Sequence, residues 1–306
     1  MSPEDTSQVF LTGFSNRDAA VRSLFEHAGL GDLSGKTVAI KANFNSADAF
    51  PASTHPDTLR AIVTLLKEAG AGEITLAERS GMGDTRANLE QLGVFALAAE
   101  LGFKVVVLDE EPVERWAHVR PGGTHWSRGF YLSKVFLEAD VVVQTCCLKT
   151  HGYGGHFTMS LKNSVGLVAR KLPGDDYDYM HELHGSPSQR LMIAEINAAY
   201  PVDFVIMDAA KAFVDGGPDK GTAVEPGLML AAKDRVALDA VGVAVLKELG
   251  ASSLTGGPVF ELEQIRRAAE LGVGIGSPAG VELAPLDDLG RASCRSIQLA
   301  FGSSVC

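Results

Sequence analysis

The feature that most constrains the fold is the regular alternation of short apolar segments with helical patterns. Residues 36–44 have the composition of a strand, residues 57–69 repeat apolar side chains at helical spacing up to Gly70, and residues 73–77 form a second apolar segment. A strand, helix, strand order places the two strands parallel in one sheet. The sequence therefore predicts an α/β fold with mostly parallel sheets and flanking helices.

The same patterns predict further elements and regions. The elements are a helix over 85–101, a strand over 103–108, a hairpin or lid over 109–129, a helix over 132–137, a strand over 140–145, a helix over 159–171, a loop over 177–185, a strand over 203–207 and a last strand over 281–286. We expect an N-terminal helical segment (1–35), an α/β domain (36–290) and a C-terminal tail (291–306). The domain would form two lobes around a cleft, with the boundary left open.

Composition limits the possible partners. The chain has 306 residues, 46% of them hydrophobic, which is ample for a packed core. Its net charge of −11 argues against nucleic-acid or anionic-membrane partners, because phosphate binding depends on dense lysine and arginine. No apolar run in the sequence approaches the roughly 20 residues that span a bilayer, and the first residues lack the order of a secretory signal. We expect a soluble cytoplasmic protein that acts on a small molecule.

The densest group of reactive side chains lies in residues 146–163. The apolar run 139–143 precedes it and has the composition of a buried strand, so these polar groups lie at a strand's carboxyl end. Ligands bind at that edge in open α/β sheets. The glycine-rich segment 152–155 lets the backbone approach a ligand closely. We therefore predict an enzyme-like site in this stretch.

Four histidines could hold a metal ion. His151 and His156 flank the glycine-rich segment, and His181 and His184 come from the next loop. Imidazole ligands suit a divalent ion of iron, nickel, copper or zinc, and an incomplete protein shell leaves room for substrate or water. The alternative is that these are exposed loop histidines.

Lysines and small polar residues flank the same loop. Lys149 and Lys162, if buried beside a metal or another cation, would have a lowered pKa and act as a base or Schiff-base nucleophile. If they are exposed, each is an anion contact. Thr158 and Asn163 lie near a helix start, where free N–H groups could hold a carboxylate or phosphate, although Thr158 could equally cap the helix.

Other strand ends contribute further candidates. Lys41 and Asn43 lie at the carboxyl end of the first strand and are predicted to bind substrate. Glu78 and Asp208 each follow a later strand and could act as general acid or base. Loop carboxylates are more often helix caps or solvated groups, so this role competes with a structural one.

Cysteine and glycine patterns exclude several classes of site. Cys146 and Cys147 are adjacent at a strand end, so alternation sends them to opposite faces, one into the core and the other available as a ligand or nucleophile. The sequence has no Cys-x-x-Cys run of a ferredoxin or zinc ribbon. It also lacks the Walker pattern, a Gly-x-Gly-x-x-Gly after the first strand, and the Gly-x-Ser-x-Gly of hydrolases.

A set of short motifs runs through most of the chain. They are Lys41-Ala42-Asn43, Leu148-Lys149-Thr150-His151, Thr158-x-x-Leu161-Lys162-Asn163-x-x-Gly166, Asp208-Ala209 before Gly216-Gly217-Pro218-x-x-Gly221, and Asp234-x-Val236-Ala237-Leu238-Asp239-Ala240. In this order they resemble the domain-of-unknown-function 362 family over about residues 36–285. Some members are joined to ferredoxin-like segments, which implies a possible redox partner, but this chain lacks such a segment. The N-terminal part also resembles the first domain of nickel-pincer lactate racemases, which implies two lobes around a cleft.

Together these features predict a metal-dependent enzyme that acts on a small oxygenated or carboxylated metabolite by redox chemistry or isomerisation. The histidines would hold the ion, the lysines an anionic group, and Glu78 or Asp208 would move a proton. Two alternatives stay open. One is a metal-free enzyme that uses a lysine or acid–base pair, and the other is a small-anion binding protein without chemistry.

Overall fold

Strands and helices alternate along most of the chain. The structure is a computed structural model and describes residues 6–120, 123–153, 156–254 and 256–301. The strands are β1 (Ser7–Gly13), β2 (Thr37–Lys41), β3 (Glu73–Glu78), β4 (Lys104–Val107), β5 (Trp116–Val119), β6 (Phe130–Ser133), β7 (Val141–Lys149), β8 (Phe204–Gly216), β9 (Gly221–Val224), β10 (Leu228–Ala232) and β11 (Val281–Pro285). The helices are α1 (Arg17–Ala28), α2 (Pro56–Glu68), α3 (Thr85–Gln91), α4 (Val94–Leu101), α5 (Lys134–Glu138), α6 (Ser160–Asn163), α7 (Tyr179–Gly185), α8 (Gln189–Asn197), α9 (Arg235–Glu248), α10 (Glu263–Glu270) and α11 (Asp288–Ala300).

A nine-stranded mixed sheet organises these elements, in the order β11-β1-β10-β8-β7-β2-β3-β4, with β9 paired to β8. Neighbours from β8 through β7, β2 and β3 to β4 are parallel, as is the pair β1 and β11. Strand β10 is antiparallel to both β1 and β8. The predicted α/β fold with a mostly parallel sheet and flanking helices is confirmed.

The strand order reverses between β2 and β7. The chain adds β3 and β4 on one side of β2, and then returns to place β7 and β8 on its other side. Such a reversal leaves a crevice outside the carboxyl ends of the two strands, which is where open α/β sheets bind ligands. The crevice belongs to one continuous sheet, and Lys41 and Lys149 are the last residues of the two strands that border it.

Both faces of the sheet are covered, which explains why β7 is buried along its whole length. Alternate residues of β8 point to opposite faces, so Ile206 packs with α1 and α2 while Met207 packs with α9. The hairpin of β5 and β6 packs with α8 in a third apolar cluster. Parallel strands buried on both faces need such continuous apolar runs.

Several predicted elements differ from the observed ones. The single helix over 85–101 is divided at Gly93, whose φ of 73° no helix interior adopts. The helix predicted over 132–137 begins only at Lys134, because the preceding residues form β6. The segment 109–129 contributes to a hairpin, one of the two forms predicted for it. The last strand, predicted over 281–286, is confirmed as β11.

The larger regions also differ in content from the expected ones. The N-terminal region holds β1 in the main sheet besides its helix, and most of the predicted tail belongs to α11. The division into 1–35, 36–290 and 291–306 stays a prediction. In the part of the chain that the structure describes, no helix combines the length and apolarity needed to cross a membrane.

Candidate functional site

A cavity of about 430 Å³ opens at the carboxyl ends of β2, β3 and β7. It brings together most of the predicted site residues: Lys41, Asn43, Glu78, His151, Thr158, Lys162, Asn163, His181 and His184. Arg79, Arg170 and Asp178 also line it. Lys149, His156 and Asp208 are not among the residues that line this cavity.

The floor of the cavity is a buried ion pair. Lys41 Nζ lies 2.6 Å from Glu78 Oε1 and 2.8 Å from Oε2, and the two side chains are 2% and 1% exposed. Glu78 also accepts hydrogen bonds from the backbone N–H groups of Phe44 and Arg79. Burial lowers the pKa of Lys41 and raises that of Glu78, while their mutual attraction opposes both shifts. Both groups are committed to each other, so neither is free to move a proton without breaking the pair.

Asn163 and Gly166 are in close contact with this ion pair. Asn163 Oδ1 accepts from Lys41 Nζ at 3.1 Å, and its amide donates to Thr145 O at 3.2 Å, so the predicted substrate-binding amide is used inside the protein. A Cβ atom on Gly166 would lie 2.8 Å from Lys41 Cε and 2.9 Å from Glu78 Oε1. The position therefore admits only glycine without displacing the pair.

We expect Gly166→Ala to lower the free energy of unfolding by about 1–3 kcal/mol, because the added methyl overpacks a pinned ion pair. Urea denaturation at neutral pH measures this change. Gly185→Ala is the matched control, since a Cβ there meets nothing within 4 Å. Equal effects of the two substitutions would contradict the steric argument.

Lys162 is the uncommitted cation of the cavity. Its side chain is partly buried, and within the described ranges its ammonium has neither a hydrogen-bond nor an acidic partner. Burial, with the nearby cations Arg190, Lys149 and Arg79, lowers the pKa of Lys162 to about 7. Both the amine and the ammonium are therefore present at neutral pH.

Two imidazoles of the cavity have a free ring nitrogen. His151 is 5% exposed, and its Nδ1 has no hydrogen-bond partner in the described part of the chain. Burial and the neighbouring Lys162 lower the pKa of His151 to about 2, so the ring is neutral. His184 Nδ1 lies 2.7 Å from Met180 O, and because a carbonyl only accepts, Nε2 carries the lone pair. Burial also lowers the pKa of His184.

The four histidines predicted as metal ligands do not form a complete site. His181 and His184 line the cavity but are exposed, and His156 is exposed and outside the cavity lining. Across the described residues, no group of three or more His, Cys, Asp or Glu side chains could hold a metal ion. His181 and His184 nevertheless share one face, because the predicted loop 177–185 contains α7, whose N–H at His181 is capped by Asp178.

Lys149 lies beneath the cavity instead of in it. Its ammonium donates to Asn43 Oδ1 at 2.7 Å and to the carbonyl of Ala52, and the side chain is 1% exposed. Burial lowers the pKa of Lys149. Its contacts orient Asn43, a predicted substrate-binding residue that does line the cavity.

The predicted helix over 159–171 ends at Asn163 and continues only as a 3₁₀ turn over 164–167. Arg79, buried at the end of β3, donates to Val165 O at 2.8 Å and to Val168 O at 2.8 Å and so takes carbonyls that a longer helix would use. The free N–H groups expected at the helix start are also taken, because Asp239 accepts from Ser160 and Leu161. Thr158 lines the cavity and makes no side-chain cap to this helix.

Asp208 lies in the middle of β8, because the strand predicted to end before it runs on to Gly216. Its carboxylate accepts from Arg17 Nε at 2.8 Å and from Thr58 Oγ1 at 2.6 Å. Arg17 in turn stacks on Phe50. These contacts join β8 to α1 and α2 and account for a structural role of Asp208.

We expect Asp208→Asn to lower the free energy of unfolding by about 3 kcal/mol, the lower end for removing one partner of a buried pair. Binding of small carboxylates in the cavity should change less than twofold in the folded variant. Denaturation and calorimetry on the same preparation measure the two effects. A catalytic role of Asp208 would instead show as lost activity with unchanged stability.

Both adjacent cysteines are buried, on opposite faces as predicted. Burial raises the pKa of the Cys147 thiol to about 12 and raises that of Cys146 well above its usual value. Cys147 Sγ contacts the carbonyl of Ser53. Neither thiol therefore has the character of a ligand or nucleophile, which corrects the expectation that one of them is available.

Three charged residues of the cavity are absent from the predicted site residues, although the sequence places one of them, Arg79, at the same edge of the sheet. Arg79 follows Glu78 at the strand end, and that position was the available signal for it. Asp178 and Arg170, 3.3 Å apart, depend on α7, which was predicted as a loop. With Lys41 and Lys162, the lining holds four cationic side chains against two acidic ones, so the cavity favours an anionic ligand.

Comparisons with known proteins give a family and a similar solved structure. No curated protein matches the sequence. The lactate racemase apoprotein from Thermoanaerobacterium thermosaccharolyticum is similar in structure, with a TM-score of 0.43 and 16% sequence identity over 70% of this chain. The matched region covers 52% of that protein, about half of its length. The family model described as domain of unknown function (DUF362) matches residues 38–244, from β2 into α9. That match spans more than half of the chain and includes the cavity, and the chain therefore belongs to the DUF362 family.

Proposed function

We propose that this protein is an enzyme that binds a small carboxylated metabolite in the cavity and transfers protons with its own side chains. One observation carries the proposal. Lys162, whose amine has no hydrogen-bond or acidic partner among the described residues, and neutral His151, whose Nδ1 is likewise unpartnered there, line the same cavity at the crevice of the sheet. Two uncommitted groups of this kind are costly in a folded protein unless a ligand satisfies them.

Charge supports an anionic ligand. The cations Lys41 and Arg170 are paired with Glu78 and Asp178. Lys162 then remains as a cation without an acidic partner in the described residues. Thr158 lines the same cavity, and its hydroxyl can donate to a carboxylate. A small carboxylate would satisfy both groups, which is how a binding site of this size obtains its specificity.

The chemistry that follows is proton transfer. A group whose pKa lies near 7 can both take and give a proton at neutral pH, and Lys162 has this property. His151 stays neutral, because its pKa is lowered to about 2, and can hydrogen-bond a substrate oxygen while Lys162 moves the proton. Removal and return of a proton beside a carboxyl or carbonyl group is an isomerisation and needs no second substrate.

We expect His151→Ala to reduce proton exchange at the substrate carbon by about tenfold, the value of one hydrogen bond to the substrate. The protein is incubated in D₂O with small 2-hydroxy and 2-oxo acids, and deuterium incorporation is followed by NMR. His156→Ala is the matched control, because His156 is exposed and outside the cavity lining. Ligands that bind but are recovered without deuterium would indicate an anion-binding protein instead.

A metal-dependent enzyme is the second candidate, favoured by the two free imidazole nitrogens of His151 and His184. A bound divalent ion would polarise a substrate oxygen as a Lewis acid. The described residues offer two such imidazoles in the cavity, so further ligands would come from the substrate or water. Metal content that is lost in His151→Ala and kept in His156→Ala would favour this candidate over the first.

A further inference from the structure

The cavity region holds three lysine amines, of which one is available to react. Lys41 donates to Glu78 and Asn163, and Lys149 donates to Asn43 Oδ1 and a backbone carbonyl. Either amine would have to break these bonds before it could attack a substrate. Lys162 lines the cavity without such a partner anywhere in the described ranges. Its nitrogen lone pair is therefore accessible at no cost in hydrogen bonds.

The surroundings of Lys162 favour the amine form. Arg190, Lys149 and Arg79 lie close enough to oppose its positive charge, and burial adds to their effect. A lysine next to other cations in a desolvated site is the usual arrangement of an imine-forming lysine.

We propose that Lys162 forms a Schiff base with the carbonyl carbon of a 2-oxo acid bound in the cavity. This inference rests on the proposed function and names its substrate class. The carboxylate of the 2-oxo acid satisfies the cationic lining, and its adjacent carbonyl presents the electrophile that an unprotonated amine attacks. The protonated imine then draws electrons from the neighbouring carbon and so acidifies the hydrogen there.

The step is balanced without another reactant. The lone pair of Lys162 Nζ forms the C–N bond while the carbonyl π bond opens to a hydroxyl. The two hydrogens of the amine leave with that oxygen as one water molecule, which gives a neutral imine. One proton from solvent then forms the protonated imine, and no atom changes its oxidation level. His151 lines the same cavity, and its neutral ring can hydrogen-bond the departing hydroxyl.

Reductive trapping tests this assignment directly. The protein is incubated with pyruvate and sodium cyanoborohydride, and its peptides are examined by mass spectrometry. We expect the peptide that contains Lys162 to gain the mass of pyruvate less one oxygen atom. Lys162→Arg keeps the charge but cannot form the adduct, so trapping in this region should fall at least about tenfold. Lys171→Arg, an exposed lysine on the same segment, should leave the Lys162 adduct unchanged.

Binding is measured separately so that the two proposals fail in different ways. Calorimetry with pyruvate should detect binding in the wild type and within a few-fold in Lys162→Arg. Binding without an adduct at Lys162 overturns the Schiff base and leaves acid–base catalysis standing. An adduct that is confined to Lys41, Lys149 or surface lysines overturns the assignment as well. No binding of pyruvate or of any other small carboxylate removes the proposed function together with this inference.

Discussion

Replacing Glu78 by glutamine is expected to lower the free energy of unfolding by about 3–5 kcal/mol, because it leaves the ammonium of Lys41 buried without a counter-charge. Lys41 is 2% exposed, and both oxygens of Glu78 lie within 2.8 Å of its Nζ. Asn163 and the carbonyl of Ala42 remain as acceptors, but neither carries a charge. Chemical denaturation at pH 7 measures the loss.

The same strand provides a matched control for this prediction. Glu73, at the start of β3, pairs with Lys104 at 2.5 Å, but both side chains are about half exposed. Glu73→Gln should cost about 0–1 kcal/mol, as for other exposed pairs. The double variant Lys41→Met with Glu78→Leu should recover much of the loss, because it removes both buried charges. If Glu78→Gln and Glu73→Gln lowered the free energy of unfolding equally, burial would not determine how much the Lys41–Glu78 pair contributes to stability.

Replacing Lys162 by methionine is expected to weaken binding of small carboxylates by about tenfold to a hundredfold, the value of one charge-assisted contact in a desolvated site. The same variant should be more stable than the wild type at pH 6. Burial lowers the pKa of Lys162 from 10.5 to about 7, so the folded wild type must charge a desolvated amine below pH 7. The unfolded chain keeps that proton up to about pH 10.5, so the wild-type penalty declines between pH 7 and 10.5.

Denaturation of both proteins at pH 6 and pH 9, with calorimetry at pH 7, measures these two effects. We expect the stability gain of Lys162→Met to be at least about 1 kcal/mol at pH 6 and smaller at pH 9. Lys171→Met removes an exposed positive charge and should change neither quantity. A gain that is the same at both pH values would mean that the amine of Lys162 is not desolvated in the folded protein.

Most of the candidate site could be predicted from the residues at the carboxyl ends of the strands. Lys41, Glu78 and His151 follow three different strands in the sequence, and parallel strands bring such residues to one edge. Asp208 shows where this reasoning fails. Nothing in the local sequence indicates that β8 continues for 13 residues, because its length depends on pairing with β7, β9 and β10. A side chain expected at the edge therefore lies inside the sheet.

Short helices were the least predictable elements near the site. The sequence favours a loop over the segment that forms α7, because Gly185 follows the histidines. In the structure Asp178 caps a helix there, and Leu183 of that helix is buried. The helix after Thr158 was predicted too long, because the carbonyl groups that it would use accept hydrogen bonds from Arg79. Both outcomes depend on partners far away in the sequence.

Local sequence alone determined the α/β class, since apolar strands alternating with amphipathic helices have few other ways to bury their surfaces. It also determined which residue types reach the carboxyl edge of the sheet. Only the tertiary structure decided which of these groups are already paired and which are free to act. Lys41, Lys149 and Lys162 look equivalent in the sequence. Distant residues pair with Lys41 and accept hydrogen bonds from Lys149, whereas Lys162 lines the cavity and has no such partner among the described residues. The physical reason is that burial and partner choice are set by long-range contacts, and these two quantities control the pKa and reactivity of an amine.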